Sequence, residues 1–189
     1  ELNARLEYQE GGGKVMIAAK NPETARSLTK VATKLVNQQE DTGILIFSVV
    51  KTPINLDSSD VPALVKEKNQ LQQQLLEQVT PIAVKENVPI YAKLRAASRV
   101  EEGIFSELSR HKDINLVMLG VPEERAKLEH PHNILKEVNM MANRNVAVLR
   151  DKGLPDEIKS ILVPVGSGPN ARLALQMGRV ITLPGEAEI

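Results

Sequence analysis

Lys14-Val-Met-Ile-Ala-Ala-Lys-Asn-Pro-Glu-Thr-Ala-Arg-Ser-Leu28 decides the fold. Val15 to Ala19 is an apolar run with the length of a strand buried on both faces. Asn21 then offers an N-cap oxygen and Pro22 fills the first helical position. Ala25, Leu28, Val31, Ala32, Leu35 and Val36 recur at helical spacing. Strand, tight turn and helix make the opening half of a βαβ unit. A second stretch repeats it: Ser160-Ile-Leu-Val-Pro-Val-Gly-Ser-Gly-Pro-Asn-Ala-Arg-Leu-Ala-Leu175. At one constant offset Val15 falls on Ile161, Ile17 on Val163, and Ala25-Arg26 on Ala171-Arg172. The offset is one small domain long, so a domain is expected, followed by the start of another.

The residues between supply the rest of a sheet. Gly43 to Val50 is a second buried strand, and a polar loop with Pro53 runs from Lys51 to Asp60. Val61 to about Val79 is helical, with Leu64, Val65, Leu71, Leu75, Leu76 and Val79 on one side; Pro81 is expected to end or kink it. Pro89 to Arg95 alternates, with Ile90, Ala92 and Leu94 opposite Tyr91, Lys93 and Arg95, the pattern of an edge strand. Val100, Ile104, Phe105 and Leu108 mark a third helix, and Ile114 to Leu119 a fourth strand stopping at Gly120. A loop from Val121 to His132 leads to a fourth helix with Ile134, Leu135, Val138 and Met141, and Val146 to Leu149 is the fifth strand. Strands alternating with helices give an α/β fold: an open five-stranded parallel sheet of order 3-2-1-4-5, helices on both faces. Arg150 to Ser160 is too short for another parallel crossover. The domains are therefore a linker at 1–13, a domain at 14–150, a linker at 151–159 and an incomplete second domain at 160–189. That last piece docks on the first domain or on a partner, or is completed by further residues.

Composition excludes several classes of function. Lysine plus arginine and aspartate plus glutamate each total 24, so neither nucleic acid nor an anionic membrane is an obvious partner. There are no cysteines, hence no disulfide or thiolate metal site. No apolar run is long enough to cross a bilayer. The chain does not open on methionine, which fits a soluble part of something larger. Aromatic residues are 2% of the chain, too few for base-stacking platforms. Gly11-Gly12-Gly13 precedes a strand rather than following one, so it is a linker and not a phosphate loop. His130-Pro131-His132 lacks a third ligand, and Ser48 and Ser167 lack a base at triad spacing. His111 closes a helix and Glu101-Glu102 opens one, roles the helix dipole explains. No catalytic site, metal site or cofactor is expected, and the chain is not expected to be an enzyme.

In such a sheet a ligand sits off the carboxyl ends of the strands, where the order reverses. That brings Lys20 and Asn21 to Gly120, beside a helix N-terminus suited to a small anion. Gly166, Ser167 and Gly168 form the matching turn of the second copy.

These residues resemble the universal stress protein family, over 14–150 as a whole domain and 160–177 as the start of another. Asn21-Pro22-Glu23-Thr24-Ala25 and the run Gly153 to Leu175 are similar to one branch. Its members are tandem domains at the cytoplasmic C-terminus of amino acid–polyamine–organocation superfamily transporters, among them amino-acid permeases and cation–chloride cotransporters. Nucleotide-binding members carry G-x2-G-x9-G-(S/T) after the fourth strand and an aspartate closing the first. Here Gly120 fits the first glycine, while Glu123, Asn133 and Ile134 stand at the other positions and Lys20 replaces the aspartate. The resemblance implies a cytoplasmic regulatory or dimerisation domain, joined to the membrane-embedded part of its own transporter chain and without ATP binding of the family kind. It also implies a homodimer through the fifth strand, Val146, Ala147, Val148 and Leu149. The rival reading is a free-standing tandem stress protein with an adenine nucleotide as its ligand.

Overall fold

The computed structural model describes residues 14–36, 42–52, 57, 59–121, 137–138, 144–155, 158–164, 166 and 169–182. Five strands, β1 (Lys14–Ala18), β2 (Ile44–Lys51), β3 (Ile90–Ala97), β4 (Ile114–Gly120) and β5 (Asn145–Leu149), form one parallel sheet. Its order is β3-β2-β1-β4-β5. The helices are α1 (Pro22–Leu35), α2 (Val61–Lys85), α3 (Val100–Arg110) and α4 (Pro169–Thr182).

The order explains the layering. Right-handed crossovers from β1 to β2 to β3 run one way across the sheet, and the return from β3 to β4 runs the other. Helices α1 and α2 therefore lie on one face, α3 on the opposite one. Val15 and Ile17 of β1 join α1 and α2 in one core cluster, while Met16 joins Phe47, Ile104 and Leu108 in the other. β1 is thus buried on both sides, as its unbroken apolar run requires. The expected edge strand β3 does lie at an edge, and Gln72 of α2 donates to its Ala92 carbonyl at 3.3 Å.

α2 corrects the sequence expectation. It does not end at Pro81 but runs on to Lys85. The buried stripe of Leu71, Leu75 and Val79 continues to Ala83, two residues past the proline, and outweighs the one lost hydrogen bond. The stop comes at Asn87, at φ 53°, where Asn87 N–H donates to Val84 O and Val88 N–H to Ala83 O. This pairing is a Schellman cap, with asparagine in the left-handed position.

The repeat takes a different form in space. Ile161 to Val163 is not a strand; only Ser160 makes a bridge. The following helix, α4, packs on α1, with Met177, Val180 and Ile181 against the α1 core cluster. The expected helix at 134–141 lies outside the described residues apart from Glu137 and Val138, which are helical.

Candidate functional site

The order reverses between β1 and β4, where Ala18 is level with Leu119. Asn21 caps α1: its side-chain oxygen accepts the Glu23 N–H at 2.9 Å, and its carbonyl accepts the Ala25 N–H at 3.0 Å. Both acceptors are therefore committed to the helix. Lys20 extends from the turn to Glu67 of α2, Nζ to Oε1 3.7 Å, with both side chains exposed. Such a pair is weak, but it sets a carboxylate beside the candidate cation.

Gly120 closes β4 directly against α1. A β-carbon there would overlap the methyl group of Thr24, with Leu28 Cδ1 3.8 Å behind it. Gly120 is thus the close-packing point between β4 and the first turn of α1. Lys20 and Asn21 follow β1 and Gly120 ends β4, so all three stand at the reversal of strand order.

Beyond β5 the chain crosses back to α1. Asp151 Oδ2 accepts the Ser27 hydroxyl, and Oδ1 accepts the backbone N–H of Gly153 and of Leu154, both at 2.8 Å. Gly153, at φ 92°, permits this turn. The Ser27 hydrogen bond, then those of the two amides, hold the Asp151 carboxyl below the usual range. No spacing in the sequence joins Ser27 to Asp151, so only the fold exposes this contact.

A second polar cluster was equally hidden. Glu107 of α3 is fully buried, with Lys93 Nζ at 2.5 Å, His111 Nε2 at 3.0 Å and Arg95 at 3.4 Å. Asp113, on the far side of His111, pairs with Lys14 at 2.8 Å, and that hydrogen bond holds its carboxyl low. These groups lie on the α3 side and at the amino ends of β1 and β4, away from the carboxyl ends of the strands, and compensate one another. They form an internal ion network.

The other expected residues separate. Gly166 is exposed, with nothing within 4 Å of an added β-carbon. Asn133, Ser167 and Gly168 lie outside the described residues, as do His130 and His132. Val146, Ala147, Val148 and Leu149 form β5, the sheet's edge beside β4. Val146 packs towards the α3 side, Ala147 and Leu149 towards α1, and Val148 is 50% exposed. Among the described residues no acidic or histidine cluster could hold a metal, and no helix is long and apolar enough to cross a membrane.

No family model and no curated protein match the sequence. Solved structures do match in shape. A universal stress protein family protein from Burkholderia pseudomallei superposes at TM-score 0.50 and 17% identity, covering 72% of this chain and 95% of that one. The hypothetical protein MJ0577 gives 0.51 at 12% identity, over 75% and 98%. A universal stress protein family protein from Arabidopsis thaliana with AMP bound gives 0.48 at 15%, over 75% and 93%. At these identities the likeness is one of architecture: the chain has the five-stranded α/β fold found in universal stress proteins.

Proposed function

We propose that this chain is a non-catalytic regulatory and dimerisation domain that acts through protein contacts rather than through a bound nucleotide. One observation carries the reading: Thr24 packs directly on Gly120 at the reversal of strand order, drawing α1 tight against the end of β4. The open edge of β5, with Val148 half-exposed, supplies a surface for a second copy, since an edge strand presents unpaired backbone groups. The similarity of residues 21–25 and 153–175 to domains at transporter C-termini supports a place on the cytoplasmic face of a membrane, attached to a transporter of the amino-acid or cation–chloride type.

Two measurements test it. Sedimentation over a concentration series should give a homodimer; a strict monomer at high concentration counts against the reading. Calorimetry with ATP, AMP and a cyclic dinucleotide should give no binding at the Lys20–Gly120 turn. Tight ATP binding lost in Gly120→Val would favour instead the free-standing nucleotide-binding stress protein.

A further inference from the structure

We infer that Gln72 closes the β3 edge of the sheet against strand addition by a second copy of this chain, leaving β5 as the edge through which copies associate. The part given to β5 rests on the function proposed for it; the closure of β3 stands by itself.

β3 is the longer of the two outer strands, eight residues against five, and all eight are in register with β2. Ile44 N–H donates to Pro89 O and Thr52 N–H to Ala97 O, so odd-numbered residues of β3 turn their backbone groups towards β2. By the alternation of the ladder, Ile90, Ala92, Leu94 and Ala96 turn theirs to the open side. A bare edge of that length is a template on which β3 of a second copy would add, antiparallel about a two-fold axis.

Charged side chains, lysine above all, are the usual guards of such an edge. Here they are committed elsewhere. Lys93 Nζ lies 2.5 Å from Glu107 of α3 and Arg95 3.4 Å from it, so both heads are held on the α3 face of the sheet.

The edge is covered from the opposite face instead. α2 is rich in glutamine, at 70, 72, 73, 74 and 78, and Gln72 Nε2 donates to the Ala92 carbonyl at 3.3 Å. Leu71 and Leu75, buried on either side of it, anchor that turn of α2 in the core and aim the amide at the strand. With Ala92 taken, Leu94 and Ala96 are the only consecutive outward residues left, too few to hold a further strand. The bond is long and adds little to stability. Its effect is to occupy the place, about 4.8 Å from β3, where the next strand would lie. With both edges open, β5 and β3 contacts would alternate and copies would add without end; with β3 closed, association stops at two.

The test is sedimentation equilibrium on the full chain with Gln72→Ala, Gln73→Ala, and Gln72→Ala combined with Ala92→Pro. Alanine keeps the helix. Proline at 92 removes an N–H that faces away from β2, so the β2–β3 ladder keeps its hydrogen bonds. Urea midpoints check folding, and Ala96→Pro, exposed on the same side, serves if Ala92→Pro is unstable. Gln72→Ala should strengthen self-association by roughly tenfold or more, carrying the mass past the parent's, and the added proline should reverse this. Gln73→Ala should match the parent, because that amide is spent on Glu77 within α2 at 2.9 Å. If Gln72→Ala sediments as the parent does, or its growth survives the proline, the inference falls. If the parent is monomeric while Gln72→Ala associates and proline reverses it, the inference stands and the reading of β5 as a dimer edge falls.

Discussion

The methyl group of Thr24 fills the space that a side chain at residue 120 would need. Thr24 is β-branched and sits in the first turn of α1, so its χ1 cannot swing clear without disturbing the helix. Gly120→Ala should therefore destabilise the chain by about 1–3 kcal/mol, the usual cost of overpacking. Thr24→Ser, which removes the methyl and keeps the hydroxyl, should be mild alone and should relieve most of the loss in the double variant. Urea midpoints of the four proteins decide it; additive losses would mean that the two residues are not in contact.

Glu107 is the one fully buried carboxylate among the described residues, and Lys93, Arg95 and His111 converge on it. Removing its charge leaves cations beneath α3 without a counter-charge, which costs more than removing an exposed pair. Lys93 retains a partly exposed side chain and can turn to water, which moderates the loss. Glu107→Gln should cost about 2–4 kcal/mol in chemical denaturation. Glu102→Gln, on the exposed side of the same helix, should cost under about 0.5 kcal/mol. Equal effects would show that the buried network adds nothing to α3 docking.

What the sequence reveals follows from the range of the forces involved. The β1–α1 stretch is legible because an apolar run, Asn21 and Pro22 act within a few residues. The strand order follows from crossover handedness and from the alternation of β3. Pro81 does not end the helix because the local rule against proline is outweighed by the burial of Ala83 two residues later, a tertiary effect. The segment at Ile161 has strand composition, yet among its described residues only Ser160 pairs, and a strand exists only in a ladder. The candidate residues Lys20, Asn21 and Gly120 were placed together by topology. That Thr24 packs on Gly120 depends on side-chain packing across elements. The Ser27–Asp151 and Lys93–Glu107 contacts join residues whose separation follows no motif.

Asp151 makes the acid limb of stability testable. Its carboxyl is held low, first by Ser27 and then by the amides of Leu154 and Gly153. A group whose folded pKa lies below its unfolded one stabilises above the unfolded value, and the gain is lost as pH falls through the folded value. The carboxyl resonance of Asp151 should titrate below about 3.9, the unperturbed midpoint, and Ser27→Ala should move it up towards that value. Asp113 should behave alike, with Lys14→Met raising its midpoint, because the Lys14 hydrogen bond is the main cause of its depression. No movement in either variant would remove these pairs as the source.

Pro81 gives the cleanest opportunity to stabilise the chain. It lies inside α2, exposed, one turn before the end of the helix. Having no N–H, it leaves the carbonyl of Glu77 without its helical partner, and its ring crowds that carbonyl. The packing past it is already complete: Ala83 is buried, and the cap at Asn87 closes the helix. Alanine at 81 would restore the hydrogen bond and the helical preference without touching the core. The interior penalty of proline is about 3 kcal/mol, but some of it is relieved here because the freed carbonyl faces solvent. Pro81→Ala should therefore raise stability by about 1–2 kcal/mol, read as a higher urea midpoint at unchanged slope. The amides from Thr80 to Lys85 should also exchange with solvent more slowly. A loss of stability would mean that α2 needs the proline for its seat on β2 and β3.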